Sequence, residues 1–210
     1  MGMTESMHYF VTGVLLGFAA GLSPGPLLAL VISETLMHGR KAGILVSVAP
    51  VLTDVPIVGA SVFILSGISH SDVLLGLISL AGSLFIAYLA YQNITIRDVN
   101  SQLRFVHPRS LLKGVTTNFL SPHPYLFWLT IGSPIIFNAW GSGLLPVLSF
   151  ITGFYLFLIG SKILTAFLVN RSRKFLNSRV YRYVIRSTGI ILAVFAVLFL
   201  KNGLEMLDLI

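Results

Sequence analysis

Apolar residues run through this chain in long blocks rather than in amphipathic stripes. Val11 to Leu22, Ile57 to Leu65, Val73 to Tyr91, Leu144 to Ile159 and Ile190 to Leu200 are each almost continuous in apolar and small residues, with polar residues gathered in the gaps. A helix that is apolar on every side belongs in a membrane or a large core, and about 20 such residues cross a hydrocarbon layer. The pattern predicts six transmembrane segments, over 8–37, 43–66, 73–92, 111–138, 144–169 and 183–202. At about 1.5 Å per residue the first would reach roughly 45 Å if continuous, against a hydrocarbon core of about 30 Å. It must tilt, bend or break.

Ser23-Pro24-Gly25-Pro26 supplies the break, because each proline lacks an amide donor and its ring clashes with the preceding turn. The fourth segment carries the same device at Ser121-Pro122-His123-Pro124, 98 residues later, and the flanks agree: Leu22 and Leu27 beside Leu120 and Tyr125. Two unrelated proline kinks would each be tolerated in a membrane helix, but a repeat explains both at once. Each copy then holds three spans, an odd number, so the second enters the membrane from the opposite face. The expected fold is an all-α integral membrane protein, a 3+3 inverted-topology repeat with broken helices one and four. Its halves cover about 1–95 and 108–210, joined by a basic linker over about 96–107. Paired broken helices at matching positions point to the binding site of a transporter.

Composition sharpens this picture. Of 210 residues 55% are hydrophobic and 10% charged, against about a quarter charged in a soluble domain, so one transmembrane domain accounts for the whole chain. The net charge of +7 would suggest nucleic acid in a soluble protein. Here position explains it. Arg40 and Lys41 lie in the first gap, Arg97, Arg104, Arg109 and Lys113 around the third, and Arg171, Arg173, Lys174, Arg179, Arg182 and Arg186 around the fifth, while the second (Gly67 to Asp72) and fourth (Asn138 to Gly143) have none. The positive-inside rule places the odd-numbered gaps in the cytoplasm and both termini outside a cytoplasmic membrane. The basic loops fix topology and meet anionic lipid headgroups, and no nucleic-acid partner is needed. The first eight residues contain Glu5 and no Lys or Arg, unlike a secretory leader, so the first block reads as a retained membrane helix. Tyr181 and Tyr183 read as interfacial anchors.

A serine followed by proline is a good helix start, because the hydroxyl can cap free amides and proline at the first position loses no bond. Ser23 and Ser121 are thus expected to open two half-helices whose positive ends cradle a carboxylate near the midplane. Asp54 lies near the centre of the second span, where a carboxylate costs at least about 2.5–3.5 kcal/mol unless it is paired, protonated or hydrated. Either it carries the coupling proton or meets a substrate ammonium, or it is a structural ion pair. Lys162 in the fifth span either pairs with Asp54, holds a substrate carboxylate, or snorkels toward the basic loop about 12 Å away. His123 either relays protons or bonds freed backbone carbonyls. Asn118 and Thr130 are candidates to line the cavity. Glu34, near Arg40 and Lys41, reads as a surface ion pair outside the site, and Phe150, Phe154, Tyr155 and Phe157 read as packing or lipid-facing. A lone histidine without Cys, Asp or Glu at ligand spacing makes no metal site, and neither a metal nor any other cofactor is expected.

At these residues the chain resembles the LysE family of amino-acid exporters, including its homoserine and threonine exporter branch. The resemblance rests on Ser23 to Pro26, Gly39 and Gly43, Asp54, Tyr88-Leu89-Ala90-Tyr91, Asn118 to Pro124, and Phe127-Trp128. It covers nearly the whole chain. The chain departs from it at Thr53, where many members have glycine, and at Ser121, where they have asparagine. The resemblance implies an export carrier coupled to the proton gradient, with Ser23, Pro24, Gly25, Pro26, Asp54, Asn118, Ser121, Pro122, His123, Pro124 and Lys162 around the substrate.

Rival functions fare unequally. The absence of cysteine removes disulfides, thiolate metal sites and a membrane thiol relay. No His-Glu-x-x-His motif or nucleophile triad supports an enzyme. An inorganic anion or metal-ion carrier of similar architecture is the alternative to an exporter of an amino acid or similar small zwitterion. A carrier of this size can be a homodimer, and Gly76, Gly82 and Ser83 offer small-residue surface either for that contact or for packing inside the chain.

Overall fold

A computed structural model describes residues 2–65, 71–95, 109–173 and 178–209. The whole basic linker expected over about 96–107, the tip of the second gap and part of the fifth basic loop, with Arg97, Arg104 and Lys174, lie outside the described residues. Every described element is helical. The first segment is α1 (Gly2–Leu22) and α2 (Pro26–His38), bent by 63° at the expected break. The second is α3 (Arg40–Ser47) and α4 (Ala49–Leu65), and the third is α5 (Ser71–Ile94). The fourth comprises α6 (Ser110–Phe119), α7 (Pro122–Phe127), a π-helical turn (Trp128–Gly132) and α8 (Ser133–Gly141). Two long helices follow, α9 (Leu144–Arg173) and α10 (Ser178–Met206). The six segments match the sequence expectation with their ends extended by a few residues.

Among the described residues, Arg40–Gly59, Leu144–Ser172 and Ile185–Met206 are long and apolar enough to cross a membrane, as is the bent first pair. Large side chains such as Leu15, Val55, Leu84 and Leu164 are exposed, as an all-round apolar helix requires when its solvent is lipid.

Lipid tails are as apolar as leucine, so helices associate through close packing rather than hydrophobic burial. Gly13, Gly17 and Gly21 of α1 meet the backbone of α9 around Phe150, Phe154 and Leu158, and Gly153 of α9 meets the Phe10 carbonyl in return. α5 packs along α10 in the same manner. Gly76 faces Leu207 and Gly203, and Gly82 faces the Leu120 carbonyl and Phe199, so this small-residue surface serves contacts inside the chain.

The packing has the symmetry of the sequence repeat. α1 and α2 contact α9, and in turn the fourth segment contacts α4; α2 contacts α3 as α8 contacts α9; α2 contacts α10 as α6 and α7 contact α5. Exchanging segments one and four, two and five, and three and six leaves this pattern unchanged.

The second segment has a break of its own. The Val48 amide still bonds the Ile44 carbonyl at 3.1 Å, but Val51 reaches back only to Val48, because Pro50 has no donor and disfavours a helical residue before it. Asp54 follows one turn later.

Candidate functional site

The two breaks meet. Between them lies a cavity of about 450 Å³ lined by Ser23, Pro24, Gly25, Pro26, Asp54, Asn118, Ser121, His123, Pro124 and Lys162. Of the residues expected from sequence, Pro122 and Thr130 are missing from the lining; Pro122 is buried as the first residue of α7. From the breaks the cavity extends past Leu16 and Ala19 of α1, Trp128 and Ile131 of the fourth segment and Phe154 of α9. All five lie on the side away from the basic loops.

Prolines determine what is left unpaired there. In a continuous helix the carbonyls of Ala20 and Leu22 would accept from residues 24 and 26, both of which are proline, and that of Gly21 from Gly25. Gly25 is extended, with φ −165° and ψ 174°, so the last carbonyls of α1 lose their helical partners. The Lys162 ammonium, buried with 4% exposure, donates to the Gly21 carbonyl at 2.9 Å. A cation at a helix C-terminus also opposes the negative end of the dipole. The equivalent position in the second break is Phe119, whose carbonyl accepts from Tyr125 Oη at 3.0 Å. One break is thus closed by a charged donor and the other by a neutral one.

This geometry bears on two of the readings of Lys162. The side chain does not snorkel, and no ion pair with Asp54 is found among the described residues. Replacing Lys162 with methionine is expected to leave the Gly21 carbonyl bare and to lower stability by about 1–3 kcal/mol, read as a fall in the thermal unfolding midpoint of the detergent-purified protein.

The serine caps differ from expectation. α2 starts at Pro26 with Gly25 as its N-cap, so Ser23 stands outside the helix. The second proline rather than the first begins the helix, because only Pro26 is followed by an unbroken apolar run. Ser121 does occupy the N-cap of α7, but its hydroxyl makes no capping bond.

Asp54 is 4% exposed and holds four donors. Oδ1 accepts from Asn118 Nδ2 at 3.2 Å and from Thr53 Oγ1 at 3.5 Å; Oδ2 accepts from Tyr155 Oη at 3.0 Å and Trp128 Nε1 at 3.3 Å. Asn118 also donates to Thr53 Oγ1 at 2.6 Å. Apart from its neighbour Thr53, every donor comes from the second half of the chain. The Thr53 hydroxyl thus extends this network.

Tyr155 and Phe154 read from sequence as packing or lipid-facing. Phe154 lines the cavity and Tyr155 bonds Asp54. The available signal was spacing: Tyr155, Leu158 and Lys162 recur at 3 and 4 residues, one helical face shared with the intramembrane lysine. His123 packs its ring 5.8 Å from that of Phe199. Thr130 is exposed and bonds the Leu126 carbonyl at 2.6 Å rather than lining the cavity. Among the described residues no three His, Asp or Glu side chains group as a metal site would need.

Glu34 is the main correction. Its side chain is fully buried and accepts from Lys113 Nζ at 2.6 Å, Ser110 Oγ at 2.5 Å and His38 Nδ1 at 3.0 Å. Arg40 instead lies over the Phe167 ring at 4.9 Å. α2 turns Glu34 inward toward α6, so the acid pairs with a lysine 79 positions away rather than with its basic neighbours in sequence.

The family model of LysE type translocators matches residues 18–203. No curated protein and no solved structure matches the sequence. The matched stretch holds both helix breaks and the whole polar network between them, and with it the chain belongs to the LysE type translocator family, a multi-pass membrane protein of transport.

Proposed function

We propose that this chain is a secondary transporter that exports an amino acid or similar small zwitterion across the cytoplasmic membrane, driven by the proton gradient with Asp54 as carrier. The observation supporting this most directly is that one buried carboxylate, Asp54, and one buried ammonium, Lys162, line the same cavity without pairing to each other. A zwitterion offers the complementary pair. The basic loops lie in the cytoplasm under this reading, the inverted halves are about 1–95 and 108–210, and the cavity faces outward.

The network also supports a route for coupling. An ionised carboxylate only accepts hydrogen bonds, whereas a protonated one donates on one oxygen. A proton arriving on Asp54 therefore changes how its four partners are met: the new O–H needs an acceptor, which only the hydroxyls of Thr53 and Tyr155 can supply, or it displaces an N–H donor. Three of the four partners belong to the opposite half, so protonation loosens the contact between the halves, as alternating access requires.

Asp54→Asn is the test. In proteoliposomes with an imposed pH gradient, the wild type should accumulate one of a panel of labelled amino acids, and Asp54→Asn should lose the response to the gradient while retaining its folded elution profile. If no amino acid moves in either protein the substrate class is wrong, and inorganic anions and metal ions become the next panel. Gradient-driven transport that persists in Asp54→Asn would remove Asp54 as the carrier alone.

A further inference from the structure

Resting on the zwitterion reading, the cavity walls carry information on the substrate side chain. We propose that the site takes a neutral amino acid with an apolar side chain, and that Trp128 sets this preference.

Beyond the breaks the cavity is walled by Leu16, Phe127, Trp128, Ile131, Phe154 and Leu158. The aromatic part is a fixed assembly. Phe127 stacks on Phe154 at 5.0 Å and 12°, and Trp128 stands edge-on to both, at 5.4 and 5.5 Å. Such offset and edge contacts hold ring positions as well as bury area.

Trp128 opens the π-helical turn, a local insertion that often marks functional sites in helices. Its ring lies where a side chain at Gly132 would have to be: a Cβ there would overlap the six-membered ring of the indole. Its other end is fixed by the indole N–H to Asp54 Oδ2 at 3.3 Å. The residue thus joins the group placed at the substrate ammonium to the wall placed at its side chain.

The chemistry of that wall excludes more than it admits. The indole N–H is the one hydrogen-bond donor among those six side chains, and Asp54 occupies it. A substrate hydroxyl reaching this wall would leave water and find no partner on it, because the polar lining of Ser23, Asn118, Ser121 and His123 belongs to the breaks and the Asp54 network; such burial is costly in an apolar enclosure. A second positive charge would meet no further acid, since Asp54 is the one acid in the lining and Glu34, outside it, is held by Lys113, Ser110 and His38, and a second negative charge would compete with the substrate carboxylate for Lys162, the one lysine or arginine in the lining. An apolar side chain meets none of these obstacles. The cavity volume lies within the roughly 300–1,000 Å³ of small-molecule sites.

The experiment is counterflow of labelled leucine, phenylalanine, threonine, lysine and glutamate in proteoliposomes containing the full chain. Leucine or phenylalanine is expected to exceed threonine and lysine by about tenfold or more, since hydrogen-bonding and size mismatches commonly discriminate by such factors. Trp128→Phe, which keeps a ring but frees Asp54, and Gly132→Ala, which displaces the indole, are both expected to shrink the leucine-to-threonine ratio. Each variant is compared with wild type by ratio, so a lower yield of folded protein does not imitate the result. Threonine or lysine moving as fast as leucine overturns the apolar preference while the amino-acid reading stands. A ratio unchanged in both variants overturns the role of Trp128. Transport of none of the five overturns the zwitterion reading and this inference with it.

Discussion

Glu34→Ala is expected to cost about 3 kcal/mol or more of stability, the lower end of the range for removing one partner of a buried ion pair. The carboxylate is fully buried while Lys113 keeps 23% exposure, so the stranded ammonium regains part of its hydration and the upper end is not reached. Ser110, a fully buried donor, loses its acceptor too. The measurement is thermal or denaturant unfolding in detergent. Two controls identify the cause. Glu34→Gln keeps acceptance from Ser110 but not the charge and should fall between wild type and alanine. Replacing both members, Glu34→Gln with Lys113→Met, should recover most of the loss, because removing a pair together leaves no isolated charge. If the double variant is as unstable as the two singles added, the pair is not the origin.

The position of this cluster gives the loss a second consequence. Glu34 stands about 12 Å along α2 from Pro26, on the basic-loop side of the cavity, and joins the first half of the chain to the second through α6. Among the described residues its pair with Lys113 is the one salt bridge between the halves. A weaker pair should therefore raise the accessibility of cysteines introduced at cavity positions to reagents added from the basic face.

Gly17→Leu is expected to be at least as damaging, at or above the roughly 3 kcal/mol upper end for overpacking. A Cβ at Gly17 would overlap the Phe154 carbonyl, and Gly13 and Gly21 meet the Phe150 and Leu158 carbonyls in the same way. Backbone touches backbone along this seam, so no rotamer change can relieve the clash and α1 must move off α9. Gly160, at which a Cβ meets nothing within 4 Å, is the control: alanine there should leave stability unchanged within about 0.5 kcal/mol. The yield of monodisperse protein and its unfolding midpoint decide the matter. A Gly17→Leu protein as stable as wild type would show that α1 and α9 do not pack this closely.

The glycine seam is legible in the sequence. Gly13, Gly17 and Gly21 fall every fourth residue within an apolar block, the spacing that brings membrane helices into close contact. The breaks were read correctly because proline acts locally: its missing donor and ring clash depend on three or four residues of its own helix. The same holds for Asp54 and Lys162, conspicuous because charge is scarce where all else is apolar. Tyr155 was overlooked because its hydroxyl acquires a role only when Asp54 comes within 3.0 Å, 101 residues away. The partner of Glu34 is not legible, because sequence shows the neighbours along the chain and not those across the bundle.

The sequence by itself thus determined that the protein lives in a membrane, that it has six segments in two related halves, and where two of its helices must break. These are properties of single helices in a solvent of given polarity, and each is written within a window of a few turns. The tertiary structure alone decided which orphaned carbonyl each break leaves to which donor, that Asp54 is held by the opposite half, and that Glu34 faces Lys113. Those pairings depend on the rotation and approach of packed helices, which small residues and breaks far apart in the chain set jointly, and no local window contains them.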